Sequence, residues 1–280
     1  MRFRRVIGQS LMAALLCAAV PLACAQDGAA TKEEKDATIQ EIERYREMIA
    51  DGNPAELYEL RGEEMWKTPR GPKKATLQGC DLGLGPGVVK GAYAKLPRFF
   101  ADTGKVQDLE SRLVSCMVNL QGMNEAEVIA RPFGQDAYKS DLEALVAYVV
   151  GQSKGVTIAP PLEHAKEKEA YALGKRMFLY RAGPYDFSCA TCHSENGRRI
   201  RLQDLPNLTT HIGASRAYAT WPAYRVSQGE FRSMQWRMND CFRQQRFPEP
   251  GYGSEVVTAL ISYLAQMASG SPYEGPGIKR

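Results

Sequence analysis

The chain has 280 residues, 44% of them apolar and 24% charged, which excludes a long disordered chain or a collagen-like repeat. Its net charge of +4 falls further once residues 1–25 are set aside: they carry Arg2, Arg4 and Arg5 and no acid, leaving 33 basic residues against 32 acidic. A near-neutral chain without a long Lys/Arg block gives no support to nucleic-acid or membrane-surface binding.

In chain order, the first element is an export signal. Arg2, Arg4 and Arg5 precede the apolar stretch Leu11 to Leu22, and Ala23-Cys24-Ala25 fits an A-x-A cleavage site. The stretch is too short for a bilayer span, and no later apolar run approaches the roughly 20 residues a span needs. The mature chain is expected to start at Gln26, in an oxidising compartment where disulfides persist.

The remainder reads as one helical unit used twice. Glu56 to Lys67 and Glu169 to Phe178 both carry apolar residues at helical spacing. Gly/Pro punctuation and then cysteine follow each. Next comes a helix with Arg-x-x-x-Cys, at Arg112 to Cys116 and at Arg237 to Cys241. Each half closes with an amphipathic helix, Ser140 to Gly151 and Ser254 to Ala268, both opening on good N-cap chemistry. The expected fold is mainly α, in two tandem domains. Residues 26–151 form the first, 152–166 a linker containing Pro160-Pro161, and 167–280 the second.

Cys189-Ala190-Thr191-Cys192-His193 is C-x-x-C-H, the attachment signature of a c-type haem. Its two thiols bond the porphyrin and its histidine faces the iron. One covalently bound haem c is therefore expected, and the two tandem domains read as cytochrome-c-like, 26–151 haem-less and 167–280 haem-binding. A zinc or thioredoxin-type reading lacks the second Cys/His pair or the βαβ context. His164 reads as solvated loop. His211 is a weak candidate for a second axial ligand.

Five cysteines remain after cleavage. No histidine precedes His164, and Cys80 has no partner two or three residues away. Cys80 and Cys116 are free to pair, and export favours a disulfide over two buried thiols. That leaves Cys241, flanked by Arg237, Asp240, Arg243 and Arg246. Nearby arginines favour thiolate. Three readings compete: a reactive thiolate that ligates iron, an inert thiol beside a distal Met234 or Met238, or a bond to another chain.

Four segments carry a resemblance: DLGLGPG at 81–87, GAYAKLPR at 91–98, ADTGKVQDLESR at 101–112 and NDCFRQQR at 239–246. Over roughly residues 40–270 the chain resembles the SoxA family, cytochrome subunits of the periplasmic SoxAX complex of thiosulfate oxidation. The resemblance implies an L-cysteine S-thiosulfotransferase joining thiosulfate to a cysteine of the SoxYZ carrier. It implies Cys241 as distal iron ligand and catalytic persulfide, Arg237 as a substrate contact, and a SoxX cytochrome as heterodimer partner and electron acceptor. It also points to the single-haem branch, because the N-terminal half lacks a second C-x-x-C-H. The alternative is a periplasmic electron-transfer cytochrome with a Met ligand and no transferase activity.

Overall fold

The computed structural model describes residue 40 and residues 52–130, 140–200 and 203–280. The export signal, its cleavage site and the start at Gln26 lie outside the described residues. Arg44–Arg280 make one compact unit. Among the described residues, no helix is long and apolar enough to cross a membrane.

The architecture is mainly helical. In chain order it contains α1 (Ala55–Lys67), β1 (Arg98–Phe100), β2 (Lys105–Gln107), α2 (Leu109–Gln121), α3 (Glu125–Ala130) and α4 (Asp141–Gly151). The second half adds α5 (Ala165–Leu179), α6 (Cys189–His193), β3 (Arg199–Ile200), β4 (Gln203–Asp204), α7 (His211–Tyr218), β5 (Ala223–Arg225), β6 (Glu230–Arg232), α8 (Met234–Gln244), α9 (Glu255–Met267) and β7 (Gly277–Lys279). β1 and β2 form an antiparallel hairpin. β5 pairs antiparallel with β6 and parallel with β7.

The two halves are built to one register. α1 crosses α4 with Gly62 against the Ala144 carbonyl, and α5 crosses α9 with Gly174 against the Ala259 carbonyl. A Cβ on either glycine would lie about 2 Å from that oxygen, 2.0 Å at Gly62 and 1.9 Å at Gly174. Only a residue without Cβ lets the backbones approach this closely. One turn beyond each glycine an aromatic ring meets a tyrosine: Trp66 on Tyr148 at 6.0 Å, Phe178 on Tyr263 at 5.2 Å. Four residues later each chain closes an isolated antiparallel bridge, Arg70 with Ala75 and Ala182 with Phe187.

From there the register places Cys80 fourteen residues after Trp66, and Cys192 fourteen after Phe178. Leu77 therefore stands where Cys189 stands, and Asp81 where His193 stands. The first half thus has neither a thiol at the first motif position nor a histidine at the last. Its remaining cysteine forms a disulfide with Cys116, with a Cα–Cα distance of 5.6 Å. The bridge closes a sequence separation of 36 residues, which constrains the unfolded chain by about 3–4 kcal/mol in the entropic account.

The expected helices are present, with two shifts. α5 starts at Ala165, one turn before Glu169. His164 is not free loop but its N-cap: Nδ1 accepts from the Lys166 N–H at 3.2 Å, and Glu167 Oε2 accepts from the His164 N–H at 3.0 Å. The pattern His-x-x-Glu is a capping box with imidazole in the place of a hydroxyl. Ser140 caps α4 as expected by accepting from the Glu143 N–H. Ser254 stands at the N-cap of α9 without a side-chain cap bond, and its buried hydroxyl has no partner. Nothing in the structure explains that idle hydroxyl. The stretch 152–166 is packed: Ile158 is fully buried, and its N–H donates to the Ser271 carbonyl at 2.9 Å.

A buried polar seam joins the halves. The Gln235 amide donates to both Asp108 oxygens at 2.8 Å, and the Gln235 N–H donates to Glu110 at 3.0 Å. Tyr93 and Tyr218, at matching positions of the two halves, stack with ring centroids 6.0 Å apart. Glu143 faces Arg232 at 3.6 Å. Burial pushes the Glu143 carboxyl up to about 8, with the Arg232 charge opposing, and pushes Glu110 and Glu59 up to about 7.

The folded protein thus holds a proton at Glu143 that the unfolded chain releases above its ordinary range near 4.5. Stability is present below that range and falls as pH rises, levelling near pH 8. Urea midpoints measured at pH 5.5 and pH 8 should differ by the equivalent of about 2–3 kcal/mol from this group. Glu143→Gln removes that part of the slope. An unchanged slope in the variant would assign the pH dependence to other groups.

Candidate functional site

The haem motif is a one-and-a-half-turn helix, α6, with a reciprocal cap. Ser188 accepts from the Thr191 N–H at 3.2 Å, and Thr191 Oγ1 accepts from the Ser188 N–H at 3.0 Å. The threonine inside C-x-x-C-H therefore fixes the turn that sets the two thiols side by side. The chain then returns, and the Leu208 N–H donates to the His193 carbonyl at 2.8 Å.

His193 Nδ1 lies 2.9 Å from the Pro206 carbonyl. A carbonyl only accepts, so Nδ1 carries the proton and Nε2 keeps its lone pair. That is the tautomer an iron ligand needs, held by a backbone partner. Burial depresses the His193 pKa; the Pro206 bond opposes this and the nearby Arg237 charge adds to it. Burial likewise pushes the Cys189 thiol up to about 12, with Cys241 adding to the effect.

Cys189, Cys192 and Cys241 are all partly exposed free thiols. Leu179, Tyr180, Tyr185 and Phe187, which precede the motif in the chain, and Ile200, which follows it, are exposed, interspersed with charged residues. Two thiols one helical turn apart and an imidazole with a free Nε2 are the groups a covalently attached haem needs.

α8 brings the second set. Ser233 caps it by accepting from the Trp236 N–H, as Asp108 caps α2 by accepting from the Ser111 N–H. Arg237 lies four residues and Cys241 eight residues after Ser233, as Arg112 and Cys116 do after Asp108. Arg237, Met238 and Cys241 form the only stretch of the helix face from 234 to 242 that is not buried. Arg237 and Cys241 act electrostatically on His193 and Cys189 respectively, so α8 faces the motif. Arg237 donates to Asp240 at 2.9 Å and sits over the Trp221 ring at 5.6 Å. Arg243 donates to the other oxygen of Asp240 at 2.7 Å.

Met234 is 3% exposed and belongs to the core; its counterpart in the first half is Leu109, and that of Met238 is Leu113. His211 is turned elsewhere, with Nε2 2.9 Å from the Ser269 carbonyl. Sequence reading overlooked two contributors: the Pro206 carbonyl and Arg225 on β5, which lies within electrostatic reach of Arg237, Asp240 and Cys241. A carbonyl leaves no signal in residue type, and Arg225 is distant from both motifs along the chain.

The L-cysteine S-thiosulfotransferase subunit SoxA of Hydrogenophilus thermoluteolus is 56% identical over 267 residues, 95% of this chain and 97% of that protein. This chain belongs to the SoxA family. A SoxA subunit of Hydrogenobacter thermophilus is 30% identical over 251 residues, covering 88% of this chain and 91% of its own. The SoxA/TsdA cytochrome c domain family matches residues 61–158, the half whose motif positions hold Leu77 and Asp81. That half keeps the cytochrome c plan of the SoxA family without its haem ligands. The crystal structure of SoxXA from P. pantotrophus shares the fold, with a TM-score of 0.66 at 23% identity, covering 81% of this chain and 79% of that one.

Proposed function

We propose that this chain is the catalytic cytochrome subunit of an L-cysteine S-thiosulfotransferase, exported to the periplasm and carrying one haem c on Cys189 and Cys192. His193 and Cys241 would ligate its iron. A SoxX cytochrome is its partner, and a cysteine of the SoxYZ carrier is the acceptor. The residues up to 151 form the haem-less domain and those from 167 the catalytic one. The observation that supports this most is the placement of Arg237 and Cys241, one turn apart on the open face of α8, against the haem motif.

The net reaction joins a carrier thiol and the thiosulfate dianion to give a carrier S-thiosulfonate, one proton and two electrons. When bound, the haem supplies a one-electron acceptor that hands charge to the partner. The protein's own groups do the rest. Arg237 offers charge-assisted donors to the sulfonate oxygens and is held in place by Asp240 and Trp221. Cys241 presents a soft sulfur, as a persulfide, where a sulfur–sulfur bond must form. Orientation by the arginine brings the terminal thiosulfate sulfur to that group.

A plain relay with Met234 or Met238 as ligand has no use for Arg237 beside Cys241, and both methionines stand where the other half uses core leucines. The test combines the intact mass of the exported protein with a conjugation assay. One covalent haem, extra sulfur on Cys241 and thiosulfate-dependent mass gain on the carrier thiol are expected. Tetrathionate with no carrier adduct would replace the transferase reading with a thiosulfate dehydrogenase.

A further inference from the structure

The two halves share a hairpin in one register: Arg98 pairs with Gln107 and Phe100 with Lys105, as Ala223 pairs with Arg232 and Arg225 with Glu230. Arg225 is therefore the counterpart of Phe100, and Arg237 the counterpart of Arg112. In the haem-less half this pair is closed on itself. The Arg112 guanidinium lies 4.0 Å over the Phe100 ring, binds both Asp102 oxygens at 2.8 and 3.0 Å, and donates to the Asp81 carbonyl.

The haem half replaces the ring with a second guanidinium. Arg225 is half-buried on the strand position that holds Phe100 in the other half, within electrostatic reach of Arg237, and its Nε is buried without a hydrogen-bond partner. Among the described residues no carboxylate lies within ion-pair distance of it. Asp240 lies within electrostatic reach but is already shared by Arg237, Arg243 and Gln244, and Glu230, the cross-strand neighbour of Arg225, is taken by Arg232 at 2.5 Å. Burial, and next the Arg237 charge, disfavour the protonated form of Arg225. Two adjacent guanidinium groups with an idle buried donor are costly to fold unless an anion joins them.

We propose that Arg225 is a second anion-binding residue of the site, acting with Arg237 as a two-guanidinium clamp on the sulfonate end of a divalent sulfur oxoanion. This deepens the transferase reading and rests on it. Two cations match a dianion, and two forks converging from β5 and α8 would fix its direction as well as its position. The terminal sulfur is thereby turned toward Cys241.

The test uses the haem-loaded protein with its partner and the carrier. Arg225→Gln should raise KM for thiosulfate about tenfold or more while kcat changes less than about threefold and KM for the carrier stays put. The haem spectrum checks that the variant is folded. A second measurement needs no variant: phenylglyoxal modification of Arg225 in the wild type, followed by peptide mapping, should be slowed by thiosulfate. Labelling of Arg225 that saturating thiosulfate leaves unchanged, or an unchanged thiosulfate KM in folded Arg225→Gln, overturns the clamp. A wild type that forms no carrier adduct at all overturns the transferase reading instead, so the two failures are distinct.

Discussion

Replacing Cys241 with Ala should abolish transfer of thiosulfate to the carrier thiol, by about 10³-fold or more, while the covalent haem remains attached. Attachment depends on Cys189 and Cys192, on a helix whose cap is made by Ser188 and Thr191 and involves no atom of α8. The substitution therefore separates chemistry from assembly. Cys241 is partly exposed, so truncation leaves little cavity and stability should change by no more than about 1 kcal/mol. The haem absorption should shift, because the proposed role of Cys241 is to ligate the iron. Met238→Ala is the matched control and should leave the spectrum near that of the wild type. Full conjugation by Cys241→Ala, or a spectrum that responds to Met238 and not to Cys241, would return the chain to the relay reading.

The second large effect concerns the fold that carries the site. Gly174→Ala places a Cβ 1.9 Å from the Ala259 carbonyl oxygen, 2.6 Å from its carbon and 3.0 Å from the Tyr263 Cβ, none of them the free end of a flexible side chain. Alanine gains about 1 kcal/mol of helix propensity over glycine. The overlap outweighs it: α5 and α9 must separate, which costs about 3 kcal/mol or more. For a chain of this size that lowers the melting temperature by about 6–12 °C. α5 leads through the Ala182–Phe187 bridge directly into Cys189, so the haem absorption should change as well. Gly62→Ala makes the same overlap, 2.0 Å, against Ala144 in the other half. It should cost comparable stability and leave the haem signal in place. A Gly174→Ala variant as stable as the wild type would show that the crossing tolerates separation.

The sequence by itself determined the helices, the C-x-x-C-H motif and the existence of a repeat. These rest on local rules: 3.6-residue periodicity, N-cap chemistry and a five-residue motif whose spacing is set by one helical turn. His164 shows the limit of such reading, because an imidazole serving as a helix cap looks like loop until its bond to the Lys166 N–H is seen. Pairing of Cys80 with Cys116 also followed from the sequence, by elimination among few cysteines in an oxidising compartment.

Tertiary structure alone decided the residue-by-residue register between the two halves. The register that sets Leu77 against Cys189, Asp81 against His193 and Phe100 against Arg225 depends on glycine contacts, bridges and hairpin pairings between residues far apart in the chain. A long connection after His193, holding β3 and β4, also breaks any constant offset between the halves. The Pro206 carbonyl that fixes the His193 tautomer was equally out of reach, since every residue carries a carbonyl and only folding selects which one meets the ring. Charge compensation followed the same logic. Arg112 and Arg237 are alike along the chain, yet one is closed by Asp102 and Phe100 and the other stands beside a second guanidinium. Which of them keeps donors for a substrate is a property of what long-range packing places next to it.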